Sequence, residues 1–92
     1  MTDLDLIYNI QKDKDTNECL IELIQRHSGI YVNIVNSYVP ENSPFVKKAD
    51  ILQEKDYHIY QAALKYEDNH GTKFSTYLGN ETKWLCLNTF NR

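Results

Sequence analysis

Apolar residues recur at helical spacing along most of the chain. From Glu18 onward the apolar residues are spaced alternately by four and three positions. This spacing predicts one long helix with an apolar stripe that faces a core. The members of this stripe are Leu20, Ile24, His27, Tyr31, Ile34 and Tyr38, reinforced by Leu23, Ile30 and Val35. Gly29 lies inside this helix, where a bend or a close helix contact would explain it. A shorter apolar face around Ile7 follows Thr2 and Asp5, which are spaced as in a capping box and predict a short leading helix.

Two turns divide the rest of the chain into two further helices. Pro40 and Pro44 push the residues before them away from helical geometry, and Gly71 can adopt the positive φ that ends a helix. The pattern therefore predicts one helix over about 44–66 and another over about 75–91. No alternation is long enough for a sheet, so the expected fold is all-α, a compact bundle of three main helices plus a short N-terminal helix.

The length of 92 residues allows one core, so 1–92 is interpreted as a single domain. The residues expected to meet in that core are Leu20, Leu23, Ile24, Tyr31, Ile34, Leu52, Ile59, Ala63, Leu78 and Leu85. The net charge of −3 argues against unaided binding of duplex DNA, because that affinity comes from Lys and Arg neutralising phosphates. No apolar run reaches the length of a membrane helix, and the acidic N-terminus is unlike a signal peptide. We expect a soluble, cytoplasmic protein without a membrane partner.

The sequence does not contain a catalytic or metal-binding motif. His27, His58 and His70 form no H-x-x-H or H-E-x-x-H pair, and no Ser, Cys or Lys lies in a nucleophile motif. Cys19 and Cys86 are far apart and are interpreted as reduced thiols in the core. The prediction is that the chain is not an enzyme and binds no metal or cofactor.

Each of the two later helices also carries a polar face opposite its apolar stripe. In the first, Asp50, Glu54, Tyr57 and Gln61 lie opposite Leu52, Ile59, Ala63 and Tyr66. In the second, Thr76, Asn80, Lys83, Trp84 and Leu87 lie opposite Leu78 and Leu85. By themselves, such rows are more often solvated helix faces than binding sites.

Two linked motifs in these helices resemble RNA polymerase sigma factors. The stretch from Asp50 to Glu54, DILQE, resembles the D-L-I-Q-E that opens the second conserved region of the family. The stretch from Gly71 to Tyr77, GTKFSTY, resembles the family's G-x-K-F-S-T-Y, and the spacing between the two motifs matches without a gap. The resemblance is to sigma-70-type region 2, and it is strongest from Asp50 to Tyr77.

The resemblance implies a transcription initiation factor with two surfaces. One would bind core RNA polymerase at the clamp helices of its largest subunit, through Asp50, Gln53, Glu54, Tyr57 and Gln61. The other would recognise and help to melt the promoter −10 element by capturing its non-template strand, through Lys73, Phe74, Thr76, Tyr77, Asn80, Lys83, Trp84 and Leu87. Unpaired bases are captured by flat pockets, stacking partners and edge donors rather than by bulk positive charge.

The chain departs from the family at the tryptophan pair that follows S-T-Y, which is Asn80 and Glu81 here, while Trp84 stands at a usually polar position. This departure is typical of alternative or virus-encoded sigma factors with their own promoters. Two other hypotheses stay open: an adaptor that binds polymerase without reading a promoter, and a helical interaction module unrelated to transcription. The length leaves no room for a domain that reads the −35 element. Either the chain is a fragment, or promoter choice depends on the −10 region and further transcription factors.

Overall fold

The computed structural model of the protein describes residues 1–42, 48–68 and 71–90. These residues contain five α-helices and no strand, which confirms the all-α prediction. The helices are α1 (Asp3–Gln11), α2 (Thr16–Tyr38), α3 (Lys48–Gln53), α4 (Lys55–Lys65) and α5 (Phe74–Phe90). The predicted helix start at Pro44 and the turn residue His70 lie outside the described residues. None of the described helices is long and apolar enough to cross a membrane.

Two local signals in the sequence are confirmed. Thr2 caps α1 in a capping box, since its Oγ1 accepts from the backbone N–H of Asp5 and the Asp5 carboxylate accepts from the N–H of Thr2. Gly71 takes φ +71°, a left-handed conformation that few other residues adopt without strain, in the turn before α5. At the other end of α1 the Gln11 amide donates to the carbonyls of Ala63 and Tyr66, at 2.8 and 2.9 Å, and so ties α1 to the end of α4.

Helix α2 is the centre of the bundle and packs against all four other helices. Its buried residues are spaced by four throughout: Cys19, Leu23, His27, Tyr31 and Val35. Four residues turn an α-helix by about 40° more than one full turn, so this stripe winds around α2 by about 160° from end to end. The predicted alternation of four and three was therefore wrong at the C-terminal end. Tyr38, predicted in the core, is 40% exposed, whereas Val39 is buried.

The winding stripe is covered by two groups of side chains rather than by the predicted single core. The large cluster joins α1, the first half of α2, α4 and the start of α5, and contains Leu6, Ile7, Ile10, Cys19, Leu23, Ile59, Ala62, Ala63, Tyr66, Phe74 and Leu78. The small cluster joins the second half of α2 to α3 and α5, and contains Tyr31, Val35, Val39, Ile51 and Cys86. Of the other predicted core residues, Leu20 and Ile24 pack against the large cluster, and Leu52 and Leu85 against the small one.

The close helix contact expected at Gly29 is found instead at Gly79. A Cβ atom at Gly29 would have open space around it, and α2 runs through this position without a break. A Cβ atom at Gly79 would lie 3.3 Å from Cδ1 of Ile34, which is partly buried. The absence of a side chain at Gly79 therefore lets α5 approach α2 closely.

The predicted helix over about 44–66 is interrupted at Glu54, between α3 and α4. The carbonyl of Ile51 accepts from the buried hydroxyl of Tyr31 at 2.8 Å, and also from the N–H of Glu54 at 3.2 Å. The backbone is thus tightened to an i→i+3 hydrogen bond where a continuous α-helix would have i→i+4. A side chain from α2 supplies this competing partner, which the sequence of the segment itself does not reveal.

Replacing Ile59, which is fully buried in the large cluster, should destabilise the fold strongly. Ile59→Ala is expected to lower the free energy of unfolding by about 2 to 5 kcal/mol, because it removes transfer energy and leaves a cavity. The matched control is Ile21→Ala, at an isoleucine of α2 that is 57% exposed, which should change stability by about 0.5 kcal/mol or less. Urea denaturation followed by circular dichroism measures both. Equal decreases in the free energy of unfolding of the two variants would contradict the assigned core.

Candidate functional site

The polar row of the α3–α4 segment lies on the surface. Asp50, Gln53, Glu54 and Tyr57 are exposed, and Gln61 is half-buried. We call these five residues the acidic face. None of them belongs to either core cluster, so their side chains are available to a partner.

Glu54 is held on this face by His58, which in turn packs on the core residue Tyr31. Its Oε2 lies 3.2 Å from Nε2 of His58, one turn later on α4. The ring of His58 stacks on the buried ring of Tyr31, with centroids 6.0 Å apart and planes at 17°, and meets the exposed Tyr57 edge to face at 5.5 Å. The same Tyr31 fixes the break before α4 through its hydroxyl. This role of His58 cannot be read from its position in the sequence, because its partners Tyr31 and Tyr57 come from two different helices.

A second exposed row lies on α5. Thr76, Asn80, Lys83 and Trp84 are exposed, and the indole of Trp84 is 59% accessible. Lys73 is exposed immediately before the helix, and Leu87 is half-buried. We call the four residues of this row the α5 face. The helix otherwise packs against α2 and α4, so the exposed ring of Trp84 is available to a contact partner.

Two aromatic residues of the predicted DNA-binding set make contacts inside the fold. Phe74 is only 3% exposed, and its ring meets those of Tyr66 and His27 edge to face, at 5.5 and 5.2 Å. Phe74 was predicted to belong to the exposed DNA-binding face, but its side chain is buried and its ring anchors the start of α5 in the large cluster. Tyr77 is half-buried, and its hydroxyl donates to Oε1 of Glu81 at 2.8 Å.

The acidic face and the α5 face meet at a groove of about 220 Å³ between α4 and α5. Gln61 and Lys65 line it from α4, and Glu81, Trp84 and Asn88 line it from α5. The two predicted sets are therefore neighbouring surfaces that share a border. Only Gln61 and Trp84 among the predicted residues reach this border.

Carboxylates are distributed unevenly between these surfaces. The segments 27–40 and 69–92 together contain one acidic residue, Glu81, out of the 13 in the chain. That residue is half-buried and accepts from Tyr77. The α5 face and the second half of α2 thus present lysine and neutral groups, although the whole protein carries a net charge of −3.

Another polar cluster ties α1 to α2. The Asp3 carboxylate lies 3.0 Å from the Arg26 guanidinium and 2.9 Å from Nε2 of the buried His27. Nδ1 of His27 is buried without a hydrogen-bond partner, and its ring packs against Phe74. Because these groups join two helices and the start of α5, their arrangement is a structural link. In the described part of the chain, no three His, Cys, Asp or Glu side chains are grouped so that they could hold a metal ion.

The chain was compared with known proteins by sequence and by structure. No protein-family model matches it, and no curated protein or solved structure matches it significantly.

Stability at alkaline pH should depend on Tyr77. Burial, with the hydrogen bond to Glu81, raises the pKa of Tyr77 from 10.0 to about 12. The unfolded chain therefore loses this proton first, so the stabilisation is complete below pH 10 and is lost as pH rises towards 12. Tyr77→Phe should show a smaller fall in unfolding free energy between about pH 9 and 11.5, measured by urea denaturation. The fall in unfolding free energy with pH is reduced in this variant rather than abolished, since burial also raises the pKa of Tyr31 and of Tyr66.

The control for this measurement is Tyr8→Phe, which removes one hydroxyl from an exposed tyrosine of α1. It should follow the wild-type dependence on pH. A Tyr77→Phe variant that loses stability as steeply as wild type would show that the Tyr77 hydroxyl is not held as described.

Proposed function

We propose that this chain is a sigma-like transcription initiation factor that binds core RNA polymerase and recognises and helps to melt the promoter −10 element. One observation carries the proposal. The helices that carry the two motifs resembling sigma region 2 each present an exposed polar row outside the core, one on α3–α4 and one on α5. The proposal joins this exposure to the resemblance of the two motifs, since exposed polar rows by themselves are typical of solvated helix faces.

The acidic face suits contact with a basic protein surface. Carboxylates are acceptors only, and they form their strongest hydrogen bonds with Arg and Lys side chains. Asp50 and Glu54 supply such groups, and Gln53, Tyr57 and Gln61 add neutral donors and acceptors around them. In sigma factors the equivalent helix binds the clamp helices of the largest polymerase subunit, which is the partner proposed here.

The α5 face suits an unpaired strand. Trp84 offers a ring for stacking, Asn80 and Thr76 offer hydrogen bonds to base edges, and Lys83 offers a charge for phosphate. No exposed carboxylate of α5 opposes a phosphate backbone among the side chains described. The proposed ligand is the non-template strand of the −10 element, presented after polymerase has bound.

The adaptor hypothesis keeps specific support from the inward position of Phe74. With Phe74 buried and the Tyr77 hydroxyl bound to Glu81, Trp84 is left as the one exposed aromatic residue of the predicted DNA-binding set. A protein that docks on polymerase without reading a promoter would need no more than the acidic face. Promoter-dependent transcription by the reconstituted enzyme separates the two functions.

Charge reversal on the acidic face should weaken binding to core polymerase. Asp50→Lys and Glu54→Lys each remove an exposed acceptor and place a repelling charge there, with an expected loss of about tenfold in affinity. Glu18→Lys makes the same charge change at an exposed position on α2 and should bind like wild type. Titration of labelled protein with purified core polymerase measures this. Unchanged affinity for both Asp50→Lys and Glu54→Lys would remove the acidic face from the proposal.

Removing the Trp84 ring should impair promoter opening and leave polymerase binding intact. Stacking on one base is worth about 1 to 3 kcal/mol, so Trp84→Ala should reduce open-complex formation by about tenfold. Trp84→Phe retains a ring and should recover part of the activity. Permanganate reactivity of unpaired thymines measures opening, and co-purification with core polymerase is the control. Full opening by Trp84→Ala would leave the adaptor as the better hypothesis.

A further inference from the structure

The C-terminal end of α2 presents an aromatic side chain beside the α5 face. Tyr38 is 40% exposed, and the ammonium group of Lys83 lies 5.9 Å from the centre of its ring. Lys83 is adjacent in sequence to Trp84, whose ring is turned towards the groove beside α4. Tyr38, Lys83 and Trp84 therefore follow one another across the exposed side of α5, from α2 towards α4.

From this arrangement we propose that Tyr38 belongs to the strand-binding surface and provides a second stacking position for single-stranded nucleic acid. The inference rests on the proposed function and extends it from α5 to α2. One base stacks on Tyr38 and another on Trp84, while the Lys83 ammonium group neutralises phosphate between them. Rings that alternate with cationic groups are the pattern by which proteins bind a single strand with little dependence on its sequence.

The distribution of charge favours nucleic acid over a basic protein partner here. Tyr38 lies in the segment 27–40, which contains no acidic residue, and the exposed Glu41 is the first carboxylate after it; the single acidic residue of α5 is engaged by Tyr77. This part of α5 and of α2 has no exposed carboxylate to which a basic partner could bind. The exposed Lys83 can neutralise a phosphate group at this position.

A similar pair elsewhere on the surface provides a matched control. Tyr8 on α1 is 58% exposed, and the ammonium group of Lys12 lies 5.8 Å from the centre of its ring. This pair has nearly the same distance between ammonium group and ring as Tyr38 and Lys83, but α1 contains Asp3 and Asp5 and is followed by Asp13. If any exposed tyrosine with a lysine above it bound nucleic acid, the two pairs would behave alike.

The test uses the fluorescence of Trp84, which is the one tryptophan of the chain. The 92-residue protein is titrated at low ionic strength with a single strand of about eight nucleotides and, separately, with a hairpin duplex. Quenching by the single strand reports stacking at Trp84. Tyr38→Ala is expected to reduce the binding constant by about fivefold or more. Tyr38→Phe should restore binding, because it keeps the ring, and Tyr8→Ala should bind like wild type.

Each other outcome overturns a defined part of the argument. If wild type is quenched by the single strand and Tyr38→Ala binds equally well, the role of Tyr38 is wrong while strand binding at Trp84 stands. If Tyr8→Ala loses as much affinity for the single strand as Tyr38→Ala does, the effect is not specific to this surface and the inference is also wrong. If the single strand quenches no more than the duplex does, strand reading by α5 fails as well. Polymerase binding by the acidic face would still be tested separately. Thermal unfolding of each variant confirms that it is folded.

Discussion

The four-residue spacing of buried side chains on α2 is the constraint on which the rest of the bundle depends. Because the stripe winds around the helix, a single neighbour cannot cover it from Cys19 to Val35. The first half is covered by α1, α4 and the start of α5, and the second half by α3 and the rest of α5. Short helices such as α3, with six residues, have little stability alone, so their positions are set by what they cover on α2.

This constraint also decides which parts of the fold could be predicted from sequence. The helical character of the segments, the Thr2 cap and the Gly71 turn are local signals, and they were predicted correctly. The outward position of Tyr38 could not be predicted, because spacings of three and four both fit the helical period and the choice depends on which neighbours cover α2. The break at Glu54 was missed for a related reason, since it is stabilised by the Tyr31 hydroxyl from another helix.

The candidate site shows the same division between local pattern and tertiary packing. The polar row of Asp50, Glu54 and Tyr57 could be predicted, because residues opposite an apolar stripe face solvent whatever the stripe packs against. The burial of Phe74 was not predicted, because a residue at the start of a helix can face either solvent or core. Its ring faces the core here because the rings of Tyr66 and His27 pack against it. The motif GTKFSTY therefore has two physical roles, in which its phenylalanine anchors the helix and the residues after it carry the exposed face.

The division of the core into two clusters gives each half of the molecule its own buried thiol. Cys19 lies in the large cluster and Cys86 in the small one, and burial raises the pKa of the Cys86 thiol, which keeps it in its unreactive protonated form. A thiol reagent can reach either sulfur only when the surrounding side chains separate. Because the two thiols lie in separate clusters, the rate at which each one reacts with a reagent reports the opening of its own half of the bundle.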